Sequence, residues 1–290
     1  MRYGNEAEWP DRLPYTLDGF RSRMWELGRE HYRDLPWRHT TDPYAIWVSE
    51  VMLQQTQVSR VDGRWQAWLE RFPTVLALAQ ADQAEVLSEW QGMGYNRRAL
   101  ALKRAAQAIS KMPEFPREQS ELVALPGIGP ATASGIRAFA FNLPGVYLET
   151  NVRTVFIHEL FPDKEGVSDA EISGLVACAC PVDNARSWYY GLLDYGSYLK
   201  RSVTNPSRRS LSHVRQSRFE GSHRQRRAEV VRILLEARPA ALETEQIRCA
   251  LDSVEVQAGR TPVTDEELHL LMRELSREGF CSAREGEWVI

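Results

Sequence analysis

The chain has 290 residues, 43% hydrophobic and 26% charged, with a formal net charge of −3 at neutral pH. That is the composition of an ordinary globular protein able to bury a sizeable core. With no global basic charge, any grip on nucleic acid must be local. The four cysteines, Cys178, Cys180, Cys249 and Cys281, form neither a CxxC pair nor a disulfide framework, which fits a reducing cytoplasm. The first residues, MRYGNEAEWPDR, lack a secretory pattern. No stretch reaches the ~18 apolar residues of a membrane helix.

Helical patterns dominate up to about residue 200. Leu17, Phe20, Met24 and Leu27 recur at helical spacing. Asp42-Pro43 is a helix start, a capping residue followed by proline. The helix it opens carries Glu50 in an apolar setting, and the polar Gln54, Gln55 and Thr56 follow. A lone glutamate there reads equally as an exposed residue or as a partner of Arg38, from Pro36-Trp37-Arg38. Buried, it would have a raised pKa and could donate a proton near neutral pH. Asp82 with Glu85 looks like a capping box, and Leu100, Ala101, Ala105 and Ile109 mark the next helix.

The strongest local signal is Leu125-Pro126-Gly127-Ile128-Gly129, followed by Thr132 and an apolar helix. Glycines two apart in a tight turn let a backbone approach another molecule. The helix N-terminus that follows favours an anion such as a DNA phosphate. The bland alternative is a turn between packed helices. Further on, Glu149-Thr150-Asn151-Val152-Arg153 follows the apolar Val146-Tyr147-Leu148, and Glu149 and Asn151 are equally explained as helix caps. Val152, Val155, Phe156 and Leu160 form a helical face, Ser168 with Glu171 a second capping box, and Trp188, Leu192 and Leu193 a further apolar face.

From Lys200 to Arg227 there are nine basic residues against one acid, Glu220, in what reads as an irregular connection. Beyond it the chain turns acidic. Helices are expected at 223–237, 243–251 and 264–278, the last with a Thr264–Glu267 capping box and Gly279 as its stop. A small β-hairpin is expected around Glu285-Gly286. Helix, helix, helix, hairpin is the order of a winged helix. Its third helix opens with Asp265, Glu266 and Glu267, which phosphates would repel, so a packing or protein-contact role is favoured.

In combination, PWR, DPY, WVSEVMLQQTQV, WQGMGYNRRA, LPGIGPATA and a carboxylate before TNVR resemble the helix-hairpin-helix DNA glycosylase superfamily, most closely its MutY-type adenine glycosylases. The resemblance spans roughly residues 30–200. It implies a mostly all-α, two-lobed glycosylase core over 1–199: a six-helix barrel at about 42–140 and a second lobe from 1–41 plus 141–199. The basic segment 200–222 would replace the family's cluster loop, and 223–290 would be a small winged-helix-like domain.

The same resemblance implies a target base flipped out of DNA. Glu50 would be the general acid. Glu149 would stand for the catalytic aspartate, with Asn151 orienting it and Asp194 supporting. Arg38 would lie near the base and Tyr95 would wedge into the stack. Gln54 and Gln55 would meet DNA near the gap, while Leu125, Gly127, Gly129 and Thr132 would hold phosphate. Where lyase relatives such as endonuclease III carry a nucleophilic lysine, this chain has Ala131, which cannot form a Schiff base.

Three departures stand out. Glu149 replaces aspartate. Lys200 stands at the first iron–sulfur cysteine, so no cluster is expected. No 8-oxoguanine-reading C-terminal domain is expected from the residues after 222. Arg208, Arg209, Arg215 and Arg218 would offer DNA a substitute surface, or else form a solvated linker. The expectation is a monomeric, cofactor-free, monofunctional base excision repair glycosylase in the cytoplasm, acting on mismatched or damaged double-stranded DNA, with adenine the default base. The alternatives are a glycosylase for another damaged or deaminated base, a non-catalytic DNA-structure-binding protein, and a winged-helix regulator.

Overall fold

The computed structural model describes residues 8–214 and 218–290. Their helices, in chain order, are α1 (Leu17–Glu30), α2 (Pro43–Leu53), α3 (Val58–Val61), α4 (Arg64–Arg71), α5 (Val75–Gln80), α6 (Gln83–Glu89) and α7 (Arg97–Ile109). There follow α8 (Gln119–Val123), α9 (Pro130–Phe141), α10 (Thr150–Leu160), α11 (Asp169–Ala179) and α12 (Ala185–Ser202). The C-terminal part holds α13 (His223–Ala237), β1 (Leu242–Glu243), α14 (Thr244–Gln257), α15 (Asp265–Glu278), β2 (Ser282–Arg284) and β3 (Glu287–Val289). The described residues thus form the all-α fold expected, with one small sheet.

The chain divides into two compact units: the described residues of 1–65 and 112–215, and those of 66–111 and 216–290. Residues 66–111 of the expected barrel fall in the same unit as the C-terminal segment. Specific bonds explain that pairing. Glu278 at the end of α15 accepts both Arg97 Nε (2.5 Å) and a second Arg97 bond, and Arg104 reaches its carbonyl (3.0 Å). Gln83 Nε2 donates to the Gly279 carbonyl (2.8 Å), and Arg238 pairs with Asp82 (2.7 Å).

In the first unit, the apolar face of α1 meets α10 and α12. Phe20 is fully buried, its ring 5.2 Å from Phe156 and 6.3 Å from Trp188. Thr16 caps α1, and Asp42 caps α2 by accepting from the Tyr44 and Ala45 amides (both 3.2 Å). Packing then buries α2 on nearly every side against α9, and only Glu50 and Leu53 stay partly accessible on its later turns. Two buried acids tie elements together. Glu159 joins Arg23 (2.8 Å) and Tyr195 (2.5 Å), and Asp194 joins Arg33 (2.6 Å) and Arg38 (2.7 Å).

The connection after residue 200 is more ordered than expected. α12 runs to Ser202, a 3-10 turn covers Pro206–Arg209, and Ser210 forms a parallel bridge with Val167. Arg209 is drawn inward, donating to the carbonyls of Ile157 (3.2 Å), Phe161 and Pro162 (2.8 Å) at the end of α10. Carbonyls left unpaired at a helix C-terminus attract a cation, so this guanidinium is a helix cap and not the DNA contact expected. Arg208 is exposed, and Arg215 lies outside the described residues.

In the second unit, α13 matches its expected bounds, and α14 runs six residues beyond its expected end. The Thr264–Glu267 capping box closes, whereas the Asp82–Glu85 box does not, because Asp82 pairs with Arg238 and Glu85 with Arg71. The hairpin forms with Glu285 and Gly286 both at positive φ (52° and 89°), the geometry of a tight two-residue turn. Sequence patterns missed β1, which pairs antiparallel with β3 to give the order β1-β3-β2. The acids of α15 face the basic residues of α13: Glu267 meets Arg226 (3.1 Å), and Glu274 meets Arg227 (2.6 Å).

Candidate active site

The site assembles in the first unit from α2, α9 and the start of α10. Glu50 projects from the third turn of α2, where the surrounding apolar surface removes water from its carboxyl. Burial, with the Glu149 charge adding to it, pushes its pKa up to about 8, against a lowering hydrogen bond from the Tyr147 hydroxyl. No arginine or lysine pairs with Glu50 among the described contacts, so the reading of it as a partner of Arg38 does not hold. Tyr147, 6% exposed, is wedged between Phe139 (5.2 Å) and Tyr189 (5.3 Å). Its hydroxyl pKa is raised well above the ordinary value by burial and by the two nearby carboxylates.

Room for this arrangement comes from α9. A Cβ on Gly135 would overlap the Glu50 Oε2 and lie 2.8 Å from Tyr147 Cε2. Glycine there lets the carboxyl and the phenol meet against the helix backbone. Neither Tyr147 nor Gly135 was found from sequence. One read as part of an apolar run and the other as a small helix residue, and only the packing of α2 on α9 reveals them.

Glu149 caps α10: its Oε1 accepts from the Asn151 amide (2.5 Å) and the Val152 amide (3.0 Å). Its Oε2 carries no hydrogen bond among the described residues and remains for a ligand. The cap and the site are thus compatible, because each uses a different oxygen. Asn151 does orient the carboxylate, but through its backbone N–H and not its side chain. Lys200, partly buried on α12, has its pKa lowered by burial, with Glu149 opposing that shift.

Arg38 and Asp194 are brought together, away from a base-binding role. Arg38 forms two bonds to Asp194 (2.7 Å each), one to the Arg33 carbonyl (2.8 Å), and lies over Tyr190 (4.4 Å). Its side chain is 3% exposed, so the pair is a structural node between α12 and the chain before α2.

The hairpin is a tight turn that leads into α9. Leu125 and Ile128 are buried and anchor it, whereas Pro126, Gly127, Gly129 and Pro130 are exposed. Gly127 sits at φ 76°, where a side chain would be strained. Gly129 opens α9 with nothing within 4 Å of where a Cβ would stand, and no side chain caps that helix. Its first amides therefore remain for an anion. Thr132 accepts from Gln54 Nε2 (3.0 Å), fixing the end of α2 to the hairpin helix, while Gln55 is exposed at φ 52°. Tyr95 belongs to the second unit and is 39% exposed.

Among the described residues no three His, Cys, Asp or Glu side chains are grouped to hold a metal. The cysteines do not fit a four-thiolate cluster: Cys178 and Cys180 are buried around the end of α11, and Cys249 and Cys281 lie in the other unit.

Residues 48–178 match the HhH-GPD superfamily of base excision DNA repair proteins. That stretch includes the hairpin and the α2, α9 and α10 residues that build the site. More particularly, curated proteins named adenine DNA glycosylase are among those it resembles. It is 39% identical to that of Mycolicibacterium smegmatis over 169 residues, covering 57% of this chain and 58% of the relative. It is 42% identical to that of Mycobacterium tuberculosis over 127 residues, covering 43% and 42%. The chain spans about half the length of the curated relatives it matches. A thermostable thymine-DNA glycosylase shares the fold with TM-score 0.56 at 22% identity, over 62% of this chain and 86% of that one. A non-covalent endonuclease III–DNA complex does so with TM-score 0.52 at 18% identity, over 65% and 87%.

Proposed function

We propose that this protein is a monofunctional DNA glycosylase that hydrolyses the bond between a flipped purine and its sugar, with adenine the default base. One observation carries the reading: a carboxyl with pKa about 8, free of cationic partners, stands beside a second carboxylate that keeps one oxygen open. Glu50, protonated at neutral pH, donates its proton to the departing base, which leaves with the bonding electrons. Glu149 Oε2 faces the positive charge that develops on the sugar ring and guides the water that replaces the base. Tyr147 holds the Glu50 carboxyl in place by its hydrogen bond. Phosphates on either side of the lesion are held by the amides of Gly127, Gly129, Ala131 and Thr132, with Gln54 and Gln55 near the displaced nucleotide.

Ala131 supplies no amine at the hairpin, so the reaction stops at an abasic site. We further propose that the enzyme works as a monomer without an iron–sulfur cluster, in the compartment that holds the DNA, and that the C-terminal segment is winged-helix-like without reading bases. Support for the last point is the pairing of the α15 acids with α13. Among the described residues no helix is long and apolar enough to cross a membrane.

The test is a panel of duplexes containing adenine opposite 8-oxoguanine, other mismatches and deaminated bases. Each is incubated with the protein and then treated with alkali. The expected product is an alkali-labile abasic site, greatest for adenine, with no break before alkali and no borohydride-trapped adduct. Greater release of another base would reassign the substrate. Binding without release from any duplex would support a non-catalytic DNA-binding protein.

A further inference from the structure

Within the second unit, the C-terminal segment reaches Tyr95, the residue read as a wedge into the DNA. Arg224, in the first turn of α13, donates from Nη1 to the Tyr95 hydroxyl (2.8 Å), and its guanidinium lies 5.6 Å from the ring centroid. Tyr95 stands at φ 51°, directly after Gly94 at φ 70°, a backbone conformation that neighbouring contacts must hold. Arg98 supplies some of them, lying 5.5 Å from the same ring and donating to the Met93 and Gly94 carbonyls (3.0 and 2.9 Å).

Arg224 is itself held firmly. Ser222 caps α13 by accepting from the Gln225 amide, and Arg227, one turn on, bonds Glu278 (2.6 Å). Glu278 in turn grips Arg97, two residues beyond Tyr95. The tyrosine loop is thereby clamped on both sides by residues from α13 and α15. The neighbouring arginines of α13, Arg226 and Arg227, are spent on acids of the same segment, whereas Arg224 turns to the tyrosine.

We propose that Arg224 is a positioning residue for Tyr95, so that the C-terminal segment promotes base flipping by holding this ring and not by contacting bases. The proposal rests on the reading of Tyr95 as a DNA-wedging residue. It predicts that Arg224→Ala weakens the flipped state while leaving chemistry on an already flipped base unchanged.

The experiment uses the full chain and a duplex with 2-aminopurine beside the target adenine, whose fluorescence rises on unstacking. It compares Arg224→Ala, Tyr95→Phe, the double variant and Tyr95→Ala, with thermal melting to verify the fold. Loss of one hydrogen-bonded pair should lower the fluorescence rise and the sub-saturating excision rate by about fivefold. The excision rate from a duplex with a pre-unstacked, unpaired adenine should not change. Because Tyr95→Phe removes the acceptor, the double variant should be no worse than either single one, and Arg224→Lys should recover part of the loss.

An Arg224→Ala protein that unstacks DNA normally while Tyr95→Ala does not would overturn the positioning role and spare the wedge. Fully additive losses would also overturn it, because Arg224 would then act on DNA by itself. A Tyr95→Ala protein with normal unstacking would remove the wedge reading, and the positioning role with it.

Discussion

Two carboxylates on neighbouring parts of the first unit solve burial in opposite ways. Asp194, whose side chain is fully buried, is surrounded by Arg33 and Arg38 and ties α12 to the chain before α2. Glu50 has no arginine. Its partners are a phenol and the field of a second carboxylate, and its pKa climbs to about 8. An acid matched by cations serves the structure. An acid left with neutral partners is held near its titration point and can exchange a proton. The residue types alone do not separate the two cases, since both are acids inside helices; the partners do.

That contrast can be broken at several points. The largest effect is expected at Glu50 itself. Glu50→Gln should lower single-turnover base release by about 10²–10⁴-fold, the span of a general acid, with DNA affinity retained in a filter-binding or anisotropy assay. The same variant should be more stable than the parent. The folded pKa lies above the ordinary 4.5, so the native state binds more protons than the unfolded chain between pH 4.5 and about 8. Native stability from this group is full below 4.5 and falls across that window. The melting-temperature advantage of Glu50→Gln should therefore grow from pH 5 to pH 8.

Asp194→Asn should do the reverse. It leaves the buried Arg38 and the partly buried Arg33 short of a partner, a loss of about 3–5 kcal/mol in urea unfolding. Any loss of turnover should track the unfolded fraction. Gly135→Ala comes next. Its methyl would displace the Glu50 carboxyl, and a shift of about 1 Å can cost about 10²-fold in rate. Nearly unchanged stability with lost turnover would place the effect on the acid. The smallest effect is expected at the hairpin, where Gly127→Ala strains a residue at positive φ and weakens DNA binding by about fivefold to thirtyfold, roughly 1–2 kcal/mol. Unchanged affinity would remove this turn from the DNA contact.

What the sequence disclosed follows the range of the forces involved. The Asp42-Pro43 start, the capping boxes at 168–171 and 264–267, and the glycine hairpin at 125–129 depend on neighbours within a few residues, and each was readable. Glu50 and Glu149 were readable as carboxylates in unusual company. Their states were not, because those depend on Tyr147 and Gly135, which approach only when α2 packs on α9. Arg38 and Arg209 misled for the same reason. A guanidinium in a basic or motif-bearing stretch resembles a DNA contact until Asp194, or the carbonyls ending α10, are seen to occupy it. The extra helical turns of α14 and the strand β1 likewise depend on the sheet they pack against.

The central claim is that Glu50 is the proton donor for base release, and its most direct test is the pH dependence of single-turnover excision of adenine opposite 8-oxoguanine. The account predicts a rate that falls about tenfold per pH unit above about 8, as the acid loses its proton. Glu50→Gln should show a low rate without that limb. A parent enzyme whose rate holds steady through pH 9, or a Glu50→Gln enzyme that keeps both the rate and the limb, would contradict it.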